Sequence, residues 1–64
     1  MNEIPLTTQE VADLLNVRRT TLEAWRSRGG GPKFMKLGRV VRYRRKDVDQ
    51  WLEENTHTST SEVA

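Results

Sequence analysis

Three glycines and a proline, Gly29-Gly30-Gly31-Pro32, interrupt this chain near its middle and limit what can form on either side. Glycine loses the most backbone freedom on ordering, and proline lacks the amide that an interior helical turn needs. No helix is therefore expected to run through the segment. A glycine cluster can also suggest a phosphate-cradling loop, but the Gly-Lys-Ser/Thr ending and the following helix of such loops are missing here. The segment reads as a helix stop and a turn.

Two helices are expected before the break. Thr7-Thr8-Gln9-Glu10 fits a capping box, in which the Thr7 hydroxyl and the Glu10 carboxylate each accept from the other residue's amide. Leu6 and Val11 flank it as a hydrophobic staple. Val11, Leu14 and Leu15 then recur at helical spacing with Ala12 alongside, and Asn16 can leave the helix in a left-handed conformation. These signals predict a helix over 8–15. After Val17, a second amphipathic stretch covers 19–28, with Leu22 and Trp25 as its inner pair and Thr21 beside them. Gly29 suits its C-terminus, and Arg26 and Arg28 suit the negative end of its dipole.

Beyond the break the periodicity changes. Phe34-Met35-Lys36-Leu37 and Val40-Val41-Arg42-Tyr43 are short runs of strand formers separated by Gly38-Arg39, a pair compatible with a two-residue II′ turn. Alternation puts Val41 and Tyr43 on one face and Arg42 and Arg44 on the other. A hairpin alone is marginal, so its apolar face must rest on the helices. A third helix is expected over 45–54, with Val48, Trp51 and Leu52 as its stripe and Asp47 and Asp49 in its first turn. Trp51 reads as a core anchor. Residues 55–64 are almost all small or polar and read as a disordered tail behind a single domain over 1–54.

Sixty-four residues with 34% hydrophobic content allow one small core, too small to enclose a cofactor. The chain has no Cys, which excludes disulfides and thiolate metal sites, and its one His, His57, lies in the polar stretch and is not expected to be a ligand. No apolar run approaches a membrane span, and Met1-Asn2-Glu3 lacks the pattern of a signal peptide. The expected location is the cytoplasm. No cofactor, metal or catalytic residue is expected: the acids cap helices or decorate their solvated faces.

Charge is the strongest functional signal. All eleven Lys and Arg residues lie between Arg18 and Lys46, with Glu23 the one acid among them, so this block carries +10 while the flanks are acidic. Segregated cationic charge attracts polyanions, nucleic acid above all, with an anionic membrane surface or a merely solvated face as the other readings.

The order helix, tight turn, helix, basic hairpin, helix (α-α-β-β-α) is that of a winged helix-turn-helix, mainly α with a small β-hairpin. The second helix would then enter the major groove, and the hairpin, or wing, would follow phosphates or the minor groove. With Leu22 and Trp25 inward, Arg19, Thr20, Glu23, Arg26 and Ser27 lie on or beside the outer face. Arg18 and Arg19 sit at the end that meets bases, where Arg can bond guanine and Thr a base or a thymine methyl; for one of the two arginines, phosphate contact is the simpler role. Glu23 could accept from cytosine N4 or orient Arg19 or Arg26, and we read it as orienting. Lys36, Arg39, Arg42 and Arg44 form the wing set, with Arg39 at the tip placed for the minor groove. Arg45 and Lys46 either meet phosphates or simply begin the third helix.

The string from Leu6 to Val17, with Phe34-Met35-Lys36-Leu37-Gly38-Arg39, Val41-Arg42-Tyr43, Asp47-Val48 and Trp51-Leu52, resembles excisionase-type helix-turn-helix domains, small winged-helix proteins related to the DNA-binding domain of the MerR superfamily. The likeness covers about residues 5–53. It implies a recombination directionality factor of a phage or mobile element, acting at the nucleoid of a bacterial host. Such a factor binds and bends attachment-site DNA, cooperatively with copies of itself, and helps an integrase of the tyrosine recombinase type assemble for excision. It also implies Arg18 to Arg26 in the major groove and Lys36 to Arg42 in the wing. Arg18 departs from the family, which often has a capping Ser there. MerR-type regulators carry a dimerising helix where this chain has its polar tail, so a monomer in free solution is expected. The alternative is a small phage or plasmid transcriptional regulator using the same surface; a protein-interaction adaptor with incidental charge is a third.

Overall fold

The capping box at Thr7 opens the first helix as its spacing implies. In the computed structural model, which describes residues 4–57, the Glu10 amide donates to Thr7 Oγ1 at 3.0 Å and the Thr7 amide to Glu10 Oε1 at 2.8 Å. Helix α1 spans Thr8–Leu15. Asn16 closes it at φ 58°, and the Val17 amide turns back to the Ala12 carbonyl at 2.9 Å. That left-handed step reverses the chain within three residues, and α2 follows at Arg19–Arg28. Gly29, at φ 82°, ends α2, and the Gly30 amide donates to the Trp25 carbonyl at 2.7 Å.

Gly31 is required as glycine for two reasons. Its φ is +77°, and a Cβ there would lie 3.2 Å from the Trp25 Cβ. The chain thus folds tightly over Trp25 before starting the hairpin. Strands β1 (Met35–Leu37) and β2 (Val40–Arg42) pair antiparallel, with Met35 opposite Arg42, Lys36 opposite Val41 and Leu37 opposite Val40. At the turn Gly38 takes φ +65° while Arg39 stays at negative φ, the pattern of a II′ rather than a I′ turn. Helix α3 spans Arg45–Glu54. Together these form a mainly helical, winged helix-turn-helix arrangement of three helices and a two-stranded hairpin.

The core is the junction of all these parts. Its fully buried members are Val11 and Ala12 from α1, Leu22 from α2, Tyr43 at the exit of β2 and Val48 from α3. Leu6, Leu15, Val17, Trp25 and Val41 pack around them. Leu6 also exchanges both backbone hydrogen bonds with Tyr43, each 2.8 Å, so the start of the chain adds a one-residue third rung to the wing. Local sequence signals gave no sign of this bridge.

Two expected core residues lie outside. Leu14 is 44% exposed. With Val11 and Ala12 both buried, the inner direction of α1 falls between them, and at about 100° per residue Leu14 points roughly 110° away. Leu52 is 40% exposed, because it lies in the last turn of α3, one turn beyond Val48 and the reach of the small core. Trp51 bridges that distance by size. Its ring packs against Trp25 at 5.3 Å between centroids and remains half-buried, an anchor at the rim of the core rather than within it. Phe34 is likewise peripheral, with its ring 6.3 Å from that of Tyr43.

Asn55 and Thr56 finish α3. Asn55 Nδ2 donates to the Trp51 carbonyl at 2.8 Å and Thr56 Oγ1 to the Leu52 carbonyl at 2.6 Å. The polar stretch expected to be a disordered tail otherwise lies, from residue 58 onward, outside the described residues. Among the described residues no helix is long and apolar enough to cross a membrane.

Candidate nucleic-acid interface

A helix presents side chains outward wherever its inner direction is fixed, and Leu22, 1% exposed, fixes it for α2. Arg18, Arg19 and Thr20 are all exposed at the N-terminal end of α2, and Ser27 is exposed in its last turn. Arg18 is the N-cap residue, in extended conformation, and its side chain makes no capping bond. The first amides of α2 therefore have no partner from the Arg18 side chain.

Glu23 is half-buried and pairs with Arg19: Arg19 Nη1 donates to Glu23 Oε2 at 3.0 Å. In an exposed helix such an i,i+4 pair adds only about 0.3–0.5 kcal/mol. Its larger consequence is geometric, because it restrains a long, rotamer-rich side chain at the start of the helix.

Arg26 does not stand on the outer face with this set. It is half-buried, and its Nη1 donates to Tyr43 Oη at 3.1 Å and to Thr8 Oγ1 at 3.3 Å. Its guanidinium also lies 5.6 Å from the centroid of the Phe34 ring, within reach of cation–π attraction. The physical reason is the Tyr43 hydroxyl. A buried tyrosine ring needs a partner for its polar end, and Arg26 supplies one. Arg26 thereby ties α1, α2 and the root of the wing at one point. Helical phase carries part of this, since Arg26 lies one turn from Leu22, about 40° around the helix; its partners Thr8 and Tyr43 come from other elements and leave no local signal.

The wing cations divide similarly. Lys36, Arg39 and Arg44 are exposed, Arg39 at the tip and Arg44 at the N-cap of α3. Arg42 stands on the expected face, opposite that of Val41, but is not fully extended. It is half-buried, and its Nη1 donates to the Val41 carbonyl at 2.8 Å, so it lies back along its own strand. Arg45 begins α3 and pairs with Asp49 at 3.1 Å, while Lys46 beside it is exposed. Arg28 and Lys33, on either side of the glycine turn, are exposed too.

The result is a surface with two cationic devices. One is the start of α2, with Arg18, Arg19 and Thr20. The other is the wing, with Lys36, Arg39 and Arg44. Arg26 joins the supports of both.

Residues 5–56 of the chain match a protein family described as a helix-turn-helix domain. No curated protein sequence matches the chain. A helix-turn-helix domain binds DNA sequence-specifically, which gives the cationic surface its partner.

Proposed function

This chain belongs to the helix-turn-helix domain family, and from that premise we propose that it is an accessory factor of site-specific recombination, an excisionase. It binds attachment-site DNA, bends it, and promotes excision of a phage or mobile element by an integrase of the tyrosine recombinase type. Strand cleavage belongs to the integrase; this chain catalyses nothing. Arg18, Arg19 and Thr20 meet the major groove, with Glu23 setting the direction of Arg19. Lys36, Arg39 and Arg44 engage the backbone or minor groove beside it. Arg26 is reassigned from reading to positioning, and Arg42 contributes charge at shorter reach.

The observation that carries this reading is the coupling at Arg26, with hydrogen bonds of 3.1 and 3.3 Å to the wing root and to α1. Helix and wing approach the duplex as one body. A body that holds a helix in one groove and a ribbon against the next favours a bent duplex, because bending brings more backbone to the cations. The resemblance of the strings around Leu6–Val17 and Phe34–Arg39 to excisionase-type domains supports the recombination role.

Footprinting on the attachment-site DNA of the host element, with and without integrase, tests the proposal. Protection of adjacent direct repeats, extended cooperatively and strengthened by integrase, is expected. Protection of a promoter palindrome, indifferent to integrase, would instead establish a transcriptional regulator. A stable dimer of the free chain in sedimentation would contradict cooperative assembly from monomers.

A further inference from the structure

The tip of the wing carries an apolar pair that the core does not use. Leu37 and Val40 stand directly opposite one another across the Gly38-Arg39 turn, so their side chains share one face of the hairpin. They are 49% and 44% exposed. The other face contains Val41, packed against the core, and leads to Tyr43, 1% exposed at the wing root. The hairpin is thus anchored through Val41 and Tyr43, and Leu37 and Val40 face away from that anchor.

Exposed aliphatic residues on a two-stranded ribbon are a liability in water, since both strand edges invite pairing. Here the charge beside them is of one sign: Arg39 lies within the turn, and Arg42 and Arg44 follow Val40 in alternation on its side of the hairpin, while Lys36 stands on the opposite face across from Val41. A protein partner would have to desolvate those cations, and interface cores are depleted in charge. A duplex has the complementary layout. Its phosphates run along both edges of the minor groove, and the sugars and base edges between them accept apolar side chains, which can wedge into base steps and kink the duplex.

We propose that Leu37 and Val40 form an apolar minor-groove contact at the wing tip, flanked by a phosphate contact from Arg39. The inference rests on the DNA-binding reading and adds to it the side chains that drive bending. Flexible pyrimidine–purine steps are the favoured target, because they unstack at least cost.

The test compares the full chain with the double variant Leu37→Thr, Val40→Thr, which places a strand-favouring β-branched residue at both positions and leaves the core intact. The probe is a short mixed-sequence duplex containing central TA steps, with a fluorophore at each end. The variant is expected to bind about tenfold more weakly, from the loss of two partly buried aliphatic contacts. Its log–log salt slope stays the same, because no charge is removed. Energy transfer between the duplex ends falls toward that of free DNA. Arg39→Ala serves as the contrast and lowers the salt slope by about one. Unchanged affinity and energy transfer in the double variant, with the parent binding well, would overturn the apolar contact while leaving DNA binding in place. Failure of the parent chain to bind the duplex at low salt would overturn both. A parent dimer that the double variant abolishes, with DNA affinity intact, would assign the pair to self-association and overturn the proposal.

Discussion

Helices α1 and α2 are neighbours of similar length, yet they begin in opposite ways. The N-terminus of α1 is closed by reciprocal Thr7 and Glu10 bonds, with a carboxylate at the positive end of the dipole. At α2, Arg18 occupies the cap position without a side-chain bond, no acid lies in the first turn, and Arg19 follows. A missing cap costs about 1 kcal/mol and an unfavourable terminal charge about 0.3–1 kcal/mol. For a chain this small those amounts matter. Under the proposed function the difference is a division of labour, in which α1 stabilises the domain and α2 leaves its uncapped amides and its cations to the DNA. The interior mirrors this. Both residues of the pair Val11 and Ala12 on α1 are fully buried, whereas α2 contributes one fully buried side chain, Leu22.

Removing that single anchor should have the largest effect. Leu22→Ala is expected to destabilise the domain by roughly 2–5 kcal/mol, enough to unfold much of the population, with DNA binding lost in proportion. Urea denaturation followed by Trp25 and Trp51 fluorescence measures it. Arg19→Ala should separate contact from stability, weakening DNA binding by about 1–3 kcal/mol if it bonds a base, while the denaturation midpoint barely moves. An equal loss of both would erase the distinction between the two helices. Thr7→Ala should do the converse, costing about 1 kcal/mol of stability and leaving affinity unchanged at temperatures where the domain stays folded. The finest comparison is Arg18→Ser. A capping residue at α2 should stabilise the domain by about 0.5–1 kcal/mol in thermal melts, yet weaken DNA binding and reduce its salt slope by about one.

The three helices were legible because their ends are written locally. Thr7 with Glu10, Asn16 and Gly29 each act within a few residues, and the apolar spacing of Val11, Leu22 and Val48 marks the inner faces. The Gly38-Arg39 turn was legible for the same reason. What spacing could not convey depends on partners distant in the chain. Leu6 bonds Tyr43, and Arg26 turns inward because a buried hydroxyl from the wing root meets it there. Leu14 and Leu52 fit a helical stripe, but a core of five fully buried residues ends before reaching them. The cationic set at the start of α2 was readable from charge and phase, whereas the partners of Arg26 come from other elements, and the bond of Arg42 to the neighbouring Val41 carbonyl is local but has no signature in residue spacing.

The most direct measurement of the central claim, that these two cationic devices bind duplex DNA together, is the affinity for a duplex as a function of salt. Five or six neutralised phosphates predict a log–log slope of about −4 to −6. A slope near zero, or no binding at low salt, would contradict the account.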